Sequence, residues 1–78
     1  MQASPLMPAN TQWPPTEVER RQFGELADDI AFLRRGCGLT VARYRDDFRI
    51  GTTVTDLDIV SESALATRAA RERARRQA

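Results

Sequence analysis

One unbroken apolar stripe constrains this chain more than any other feature. Phe23, Leu26, Ala27, Ile30 and Leu33 fall at i, i+3, i+4, i+7 and i+10, the spacing of one helix face. Thr16-Glu-Val-Glu19 stands ahead of it as a capping box, Thr16 capping the amide of Glu19 and Glu19 reaching back to the amide of Thr16. Glu17 and Glu19 suit the positive helix start, Arg34 and Arg35 the negative end, and Gly36 the position just beyond it. The pattern predicts a helix over 17–35. At about 100° per residue Phe32 lies about 180° from Phe23. It leaves the stripe and marks a second contact face, turned toward another part of the chain or another molecule.

A stripe needs something to cover it, and 78 residues offer little. A chain of this size buries only about 60% of its unfolded surface. Small domains make up the deficit with disulfides, a metal or a partner. With one cysteine and no histidine, an intramolecular disulfide and a Cys/His zinc site are both excluded. No cofactor is expected, and either a partner or an economical core must serve. A lone Cys37 fits a reducing compartment; without a histidine base it is a small buried thiol rather than a nucleophile. No apolar run is long enough for a membrane span, and "MQASPLMPAN" lacks the charged and apolar regions of a signal peptide.

The last third reads as a helix from about residue 56 into the seventies. Thr55-Asp-Leu-Asp58 is a relaxed capping box, and Leu57, Val60 and Ala64 share one face, with Leu65 at its edge. Continued at helical spacing, that face meets Arg68, Arg71 and Arg75. Core on one half thus becomes a row of guanidinium groups on the other, with Arg73 and Arg76 adding charge around the back. Glu72 can pair with Arg68 and Arg76 at i,i+4. One glutamate cannot neutralise five arginines, so these five residues are the candidate contacts for an acidic partner: nucleic acid phosphate or a carboxylate-rich protein. The alternative is a solvated helix end whose cations suit the macrodipole. All twelve basic residues are arginine, which follows either from a GC-rich genome or from forked binding of phosphate and carboxylate.

Residues 39–53, "LTVARYRDDFRIGTT", read two ways. Val41, Tyr44 and Phe48 fit a helix. "LTVARY" and "FRIGTT" also fit two strands about a turn at Arg45-Asp46-Asp47. Met1 to Pro15 holds all four prolines and no hydrophobic period, as in an extended, disordered arm. Pro5-Leu-Met-Pro8 satisfies PxxP without a basic anchor. Trp13, the sole tryptophan, either folds back on the domain or docks on a neighbour; with Phe32 it is the candidate protein contact. The chain divides into an arm (1–15), a small globular domain (16–66) and an arginine-rich helical tail (67–78).

Catalytic patterns are missing. There is no histidine, lysine or phosphate loop; Gly36-Cys-Gly38 is a helix end and turn, and Asp28-Asp29 are helix neighbours that do not face each other. The sequence points away from an enzyme. A helix-turn-helix DNA reader, with helices at 17–35, 40–48 and 54 onwards, would put Asp56, Asp58 and Glu62 into a phosphate-lined groove. A small protein-binding inhibitor or antitoxin is a further alternative.

The stretch from Leu26 to Arg76 resembles the lambda W family of phage head–tail joining proteins. The resemblance rests on an amphipathic first helix ending in "LRRG" (Leu33 to Gly36), "LTV" (Leu39 to Val41) opening a hairpin, "TTVTDL" (Thr52 to Leu57) capping a second helix, and an arginine-rich end. It implies a mainly α (α+β) helix–short β-hairpin–helix miniature domain, with an all-α three-helix bundle as the alternative. It also implies a non-catalytic structural role in virion assembly, in the host cytoplasm or the virion. The partners would be proteins of a larger assembly, in which copies form a homo-oligomeric ring, and DNA met non-specifically by the arginines.

Overall fold

The computed structural model describes residues 13–77. The arm up to residue 12, with its PxxP motif, lies outside them. The fold is α+β: a broken helical segment, a three-stranded antiparallel sheet and a long final helix.

The first segment begins where its capping box stands. Thr16 Oγ1 accepts from the Glu19 amide at 3.1 Å, and Glu19 Oε1 accepts from the Thr16 amide at 2.9 Å. Helix α1 then runs over Glu17–Phe23. It stops at Gly24, whose φ of 57° and ψ of −123° suit only a residue without a Cβ. A 3₁₀ turn (Gly24–Leu26), helix α2 (Ala27–Ala31) and a π turn (Phe32–Gly36) follow. The continuous helix expected over 17–35 is therefore interrupted. The kink and the tighter and wider turns reset the helical phase, so Phe23 and Phe32 both enter the core. The left-handed turn after the segment falls at Gly38 (φ 71°) rather than Gly36.

Residues 39–53 form the hairpin, not a helix. Strands β1 (Thr40–Tyr44) and β2 (Asp47–Gly51) pair from Tyr44 with Asp47 to Thr40 with Gly51. Arg45 and Asp46 make the turn. A positive φ at Arg45 alone is the sign pattern of a II′ turn, which matches strand twist. A third strand, β3 (Leu57–Val60), pairs with β2 and completes the order β1-β2-β3. Leu57-Asp-Ile-Val60 had been expected to open the last helix. It alternates and ends in β-branched residues, and β2 offers it a ladder. Gly51 permits the pairing: a Cβ there would collide with the Asp56 carbonyl and crowd Leu57.

Helix α3 accordingly starts later, at Glu62, and runs to Gln77. Ser61 takes the capping role given above to Thr55, its Oγ accepting the Ala64 amide at 3.1 Å. Strands across residues 40–60 leave no room for the all-α bundle, nor for a helix-turn-helix with helices at 40–48 and 54.

The core lies between the helices and one sheet face. Ile30, Phe32, Leu33, Phe48 and Leu65 are fully buried, joined by Phe23, Ala27, Val41, Ile50 and Ala69. The Phe23 and Phe48 rings pack 6.0 Å apart, tilted by 51°, a favourable aromatic geometry. The opposite sheet face carries Ala42, Tyr44 and the exposed Arg49 and Ile59.

Candidate functional site

The arginines of α3 sit on a helix whose inner line differs from the one expected. Leu65 and Ala69 are buried and Glu72 follows at 8% exposure, while Ala64 is exposed. Leu57 and Val60 belong to β3. Continuing from Leu65 at i+4, i+7 and i+11, the core line reaches Arg76, not Arg75. The domain boundary placed at residue 66 thus cuts through the packed part of α3.

Glu72 organises this end. Its carboxylate accepts from Arg68 Nε at 3.2 Å, Arg75 Nη1 at 3.3 Å and Arg76 Nη1 at 2.9 Å. Arg76 also donates to the Glu72 carbonyl at 3.2 Å. The hydrogen bond from Arg76, against the cost of burial, holds the Glu72 carboxyl below the usual range. Arg73 goes elsewhere: Nη1 donates to Asp29 Oδ1 at 2.6 Å, and the guanidinium lies 4.8 Å over the Phe32 ring. Its Nε and Nη2 are buried without a hydrogen-bond partner among the described residues; the ring face is what they meet. Arg76 stacks on the same ring at 5.5 Å.

The five candidate arginines therefore divide. Arg73 is a packing residue, with only 20% of its side chain exposed. Arg68 and Arg76 are each 43% exposed and Arg75 72%. Arg71 is exposed and makes no ion pair or side-chain hydrogen bond among the described residues. Among the described residues five guanidiniums meet two carboxylates, so this part of the helix is cationic, with Arg71 and Arg75 outermost.

Of the two aromatic candidates, Trp13 takes one of the two courses left open to it and Phe32 is enclosed. Phe32 is fully buried in this chain's own core beneath Arg73 and Arg76, which corrects its assignment as an intermolecular contact. Trp13 folds back, packing against the core with its indole where a Cβ on Gly36 would sit.

A second charged cluster was not visible in the sequence. Glu19 is 4% exposed and accepts from Arg34 Nη1 at 2.9 Å and from Arg35 Nη2 at 2.9 Å and Nη1 at 3.2 Å. Arg35 holds its carboxyl down to about 2, with Thr16 and Arg34 adding to the effect against the opposing cost of burial. Arg35 also donates to the Pro14 carbonyl at 2.8 Å, and Arg34 to the Val41 carbonyl at 3.1 and 2.6 Å. One carboxylate thus ties Trp13's neighbour, α1, the π turn and β1 together. Separations of 15 and 16 residues carry no local signal, and Arg73–Asp29, 44 apart, carries still less.

A cleft of about 400 Å³ lies beside this cluster, lined by Gln22, Phe23, Arg34, Ala42 and Arg43. Its arginines are engaged internally: Arg34 as above, and Arg43 stacked on Phe48 at 4.5 Å and reaching Glu62 at 3.4 Å. Cys37 is partly buried, and burial pushes its thiol up, the direction that suppresses thiolate chemistry. No group of three His, Cys, Asp or Glu among the described residues is placed to hold a metal. No helix among them is long and apolar enough to cross a membrane. Comparison of the chain with protein-family models, with curated proteins and with solved structures found no match.

Proposed function

We propose that this protein is a non-catalytic docking subunit, a small component of a larger protein assembly that meets an acidic surface through the end of α3. A phage virion component of the head–tail joining kind, working in the host cytoplasm or the virion, is the sharpest form of this reading. One observation carries it: Arg68, Arg71 and Arg75 line an exposed helix end where, among the described residues, five guanidiniums stand against two carboxylates. Supporting it is the order of a helical segment, a hairpin widened by a third strand, and a final helix. Arg68, Arg71 and Arg75 are the contact residues, with Arg76 assisting; Arg73 serves by keeping the helix on the domain.

Fluorescence anisotropy with a random-sequence DNA duplex and with polyglutamate tests the reading. Three phosphate contacts give a salt slope of about −2.7, or about a 40-fold loss of DNA affinity between 50 and 200 mM salt. Arg71→Glu with Arg75→Glu should abolish binding to whichever probe is bound, without shifting the melting temperature. Binding of neither probe, or binding indifferent to the double variant, refutes the proposal.

A further inference from the structure

The two edges of the sheet are treated differently. In an antiparallel ladder, residues alternate between turning their N–H and C=O toward one neighbour and toward the other. The two-residue turn closes on Tyr44 and Asp47, so Ala42–Arg49 and Thr40–Gly51 are the bonded pairs of β1 and β2. Val41 therefore turns its backbone outward, and Arg34 occupies that carbonyl with two donors. On the other side, Phe48 and Ile50 face β3 and pair with Val60 and Asp58. Leu57 and Ile59 turn their N–H and C=O away from the domain. No side chain or backbone group among the described residues bonds them. Arg34 thus caps the β1 edge at Val41, and the β3 edge carries no such cap among the described residues.

The open edge has a chemical character. Ile59 of β3 is 54% exposed, an apolar invitation to another strand. Asp58 lies in β3 and Asp56 just before it, both exposed. A second copy pairing about a two-fold axis faces these carboxylates with themselves. Centred on Asp58, it sets Asp58 against Asp58; centred on Leu57, it sets Asp56 against Asp58. Like charges directly opposite are destabilising. Residues 1–12 of the chain have no charged side chain and hold Pro5 and Pro8, so their side chains offer the carboxylates no cation and the prolines would interrupt a ladder.

We propose that the β3 edge is a second docking site, independent of α3, which receives an extended basic segment of another protein by strand addition. Leu57 and Ile59 supply four backbone hydrogen-bonding groups, the apolar side chains supply contact, and Asp56 and Asp58 select arginine or lysine on the incoming strand. The carboxylates that discourage self-pairing are the ones that recognise the partner.

The test uses the full chain and an eight-residue probe alternating arginine with valine, with a glutamate–valine peptide as the charge-reversed control. Hydrogen exchange followed by NMR should show the Leu57 and Ile59 amides protected at least tenfold by the basic peptide and unchanged by the acidic one. Asp56→Asn with Asp58→Asn should weaken the basic peptide about fivefold with the fold intact. Ile59→Pro removes an outward N–H and should abolish binding; unchanged circular dichroism shows that the strand persists. Lack of protection under saturating peptide, equal response to both peptides, or indifference to the asparagine pair overturns the proposal. Concentration-dependent protection of these amides in the chain alone assigns the edge to a second copy and overturns it as well.

Discussion

Glu19→Gln is the most informative single perturbation of the fold. The substitution keeps the size of the side chain and removes its charge. The wild-type carboxyl falls from an ordinary 4.5 to about 2 on folding. At about 1.4 kcal/mol per pH unit, that difference is worth about 3 kcal/mol at neutral pH. The side chain is only 5% exposed, so solvent screening takes little of it. A chain of this size has a total stability of roughly 4–12 kcal/mol, so the loss is a large share. The sign follows from a depressed folded value. The stabilisation is fully present above the unfolded value of 4.5 and is lost as pH falls toward 2. Glutamine has no such dependence, so the gap between the two proteins must close over the same window. Urea unfolding, followed by circular dichroism and by Trp13 fluorescence, measures both proteins at pH 7, 5, 3.5 and 2.5. The expected gap is about 3 kcal/mol at pH 7, shrinking to about 1 kcal/mol at pH 2.5. A gap under about 1 kcal/mol at pH 7, or one equally wide at both extremes, refutes the claim that this carboxylate clamps the N-terminal half.

Three further outcomes are expected. Arg45→Gly should be neutral or raise stability by about 1 kcal/mol, because a left-handed φ strains any residue with a Cβ; a melting temperature lower by several degrees argues against the turn geometry. Gly51→Ala should cost about 2 kcal/mol or more through the collision with Asp56, read by thermal denaturation, and a neutral result dissolves the stated reason for that glycine. Phe32→Ala should cost about 3–5 kcal/mol, whereas a surface docking residue would cost almost nothing in stability.

The local signals of the sequence were sound where local chemistry decides. The capping box at Thr16 and Glu19, the stripe of Phe23, Ala27, Ile30 and Leu33, and the turn at Arg45 all describe groups a few residues apart. The reading failed where a distant partner decides. Thr55-Asp-Leu-Asp58 imitates a helix start, yet β2 captures Leu57–Val60 first, and the helix waits for Ser61. That shift moved the expected inner line of α3 from Leu57 and Ala64 to Leu65 and Ala69. Phe32 was misassigned because an ideal helix was extended through Gly24. The ion pairs to Glu19 and Asp29 depend on the tertiary arrangement and left no trace in spacing. The candidate site was legible as a charge excess; its division into buried Arg73, shared Arg68 and Arg76, and outlying Arg71 and Arg75 was not.

Glu72 gives the end of α3 an unusual thermodynamic character. Three guanidiniums already share its carboxylate, so an arriving phosphate or acid would take part in an exchange rather than a simple addition. Each bond it forms with Arg68, Arg75 or Arg76 displaces one the helix made to itself, and the net gain is the difference between two anions. Among the described residues Arg71 makes no such bond. Under the proposed role, first contact would fall to it, and the rest of the cluster would follow only for a ligand that outcompetes a carboxylate already in place.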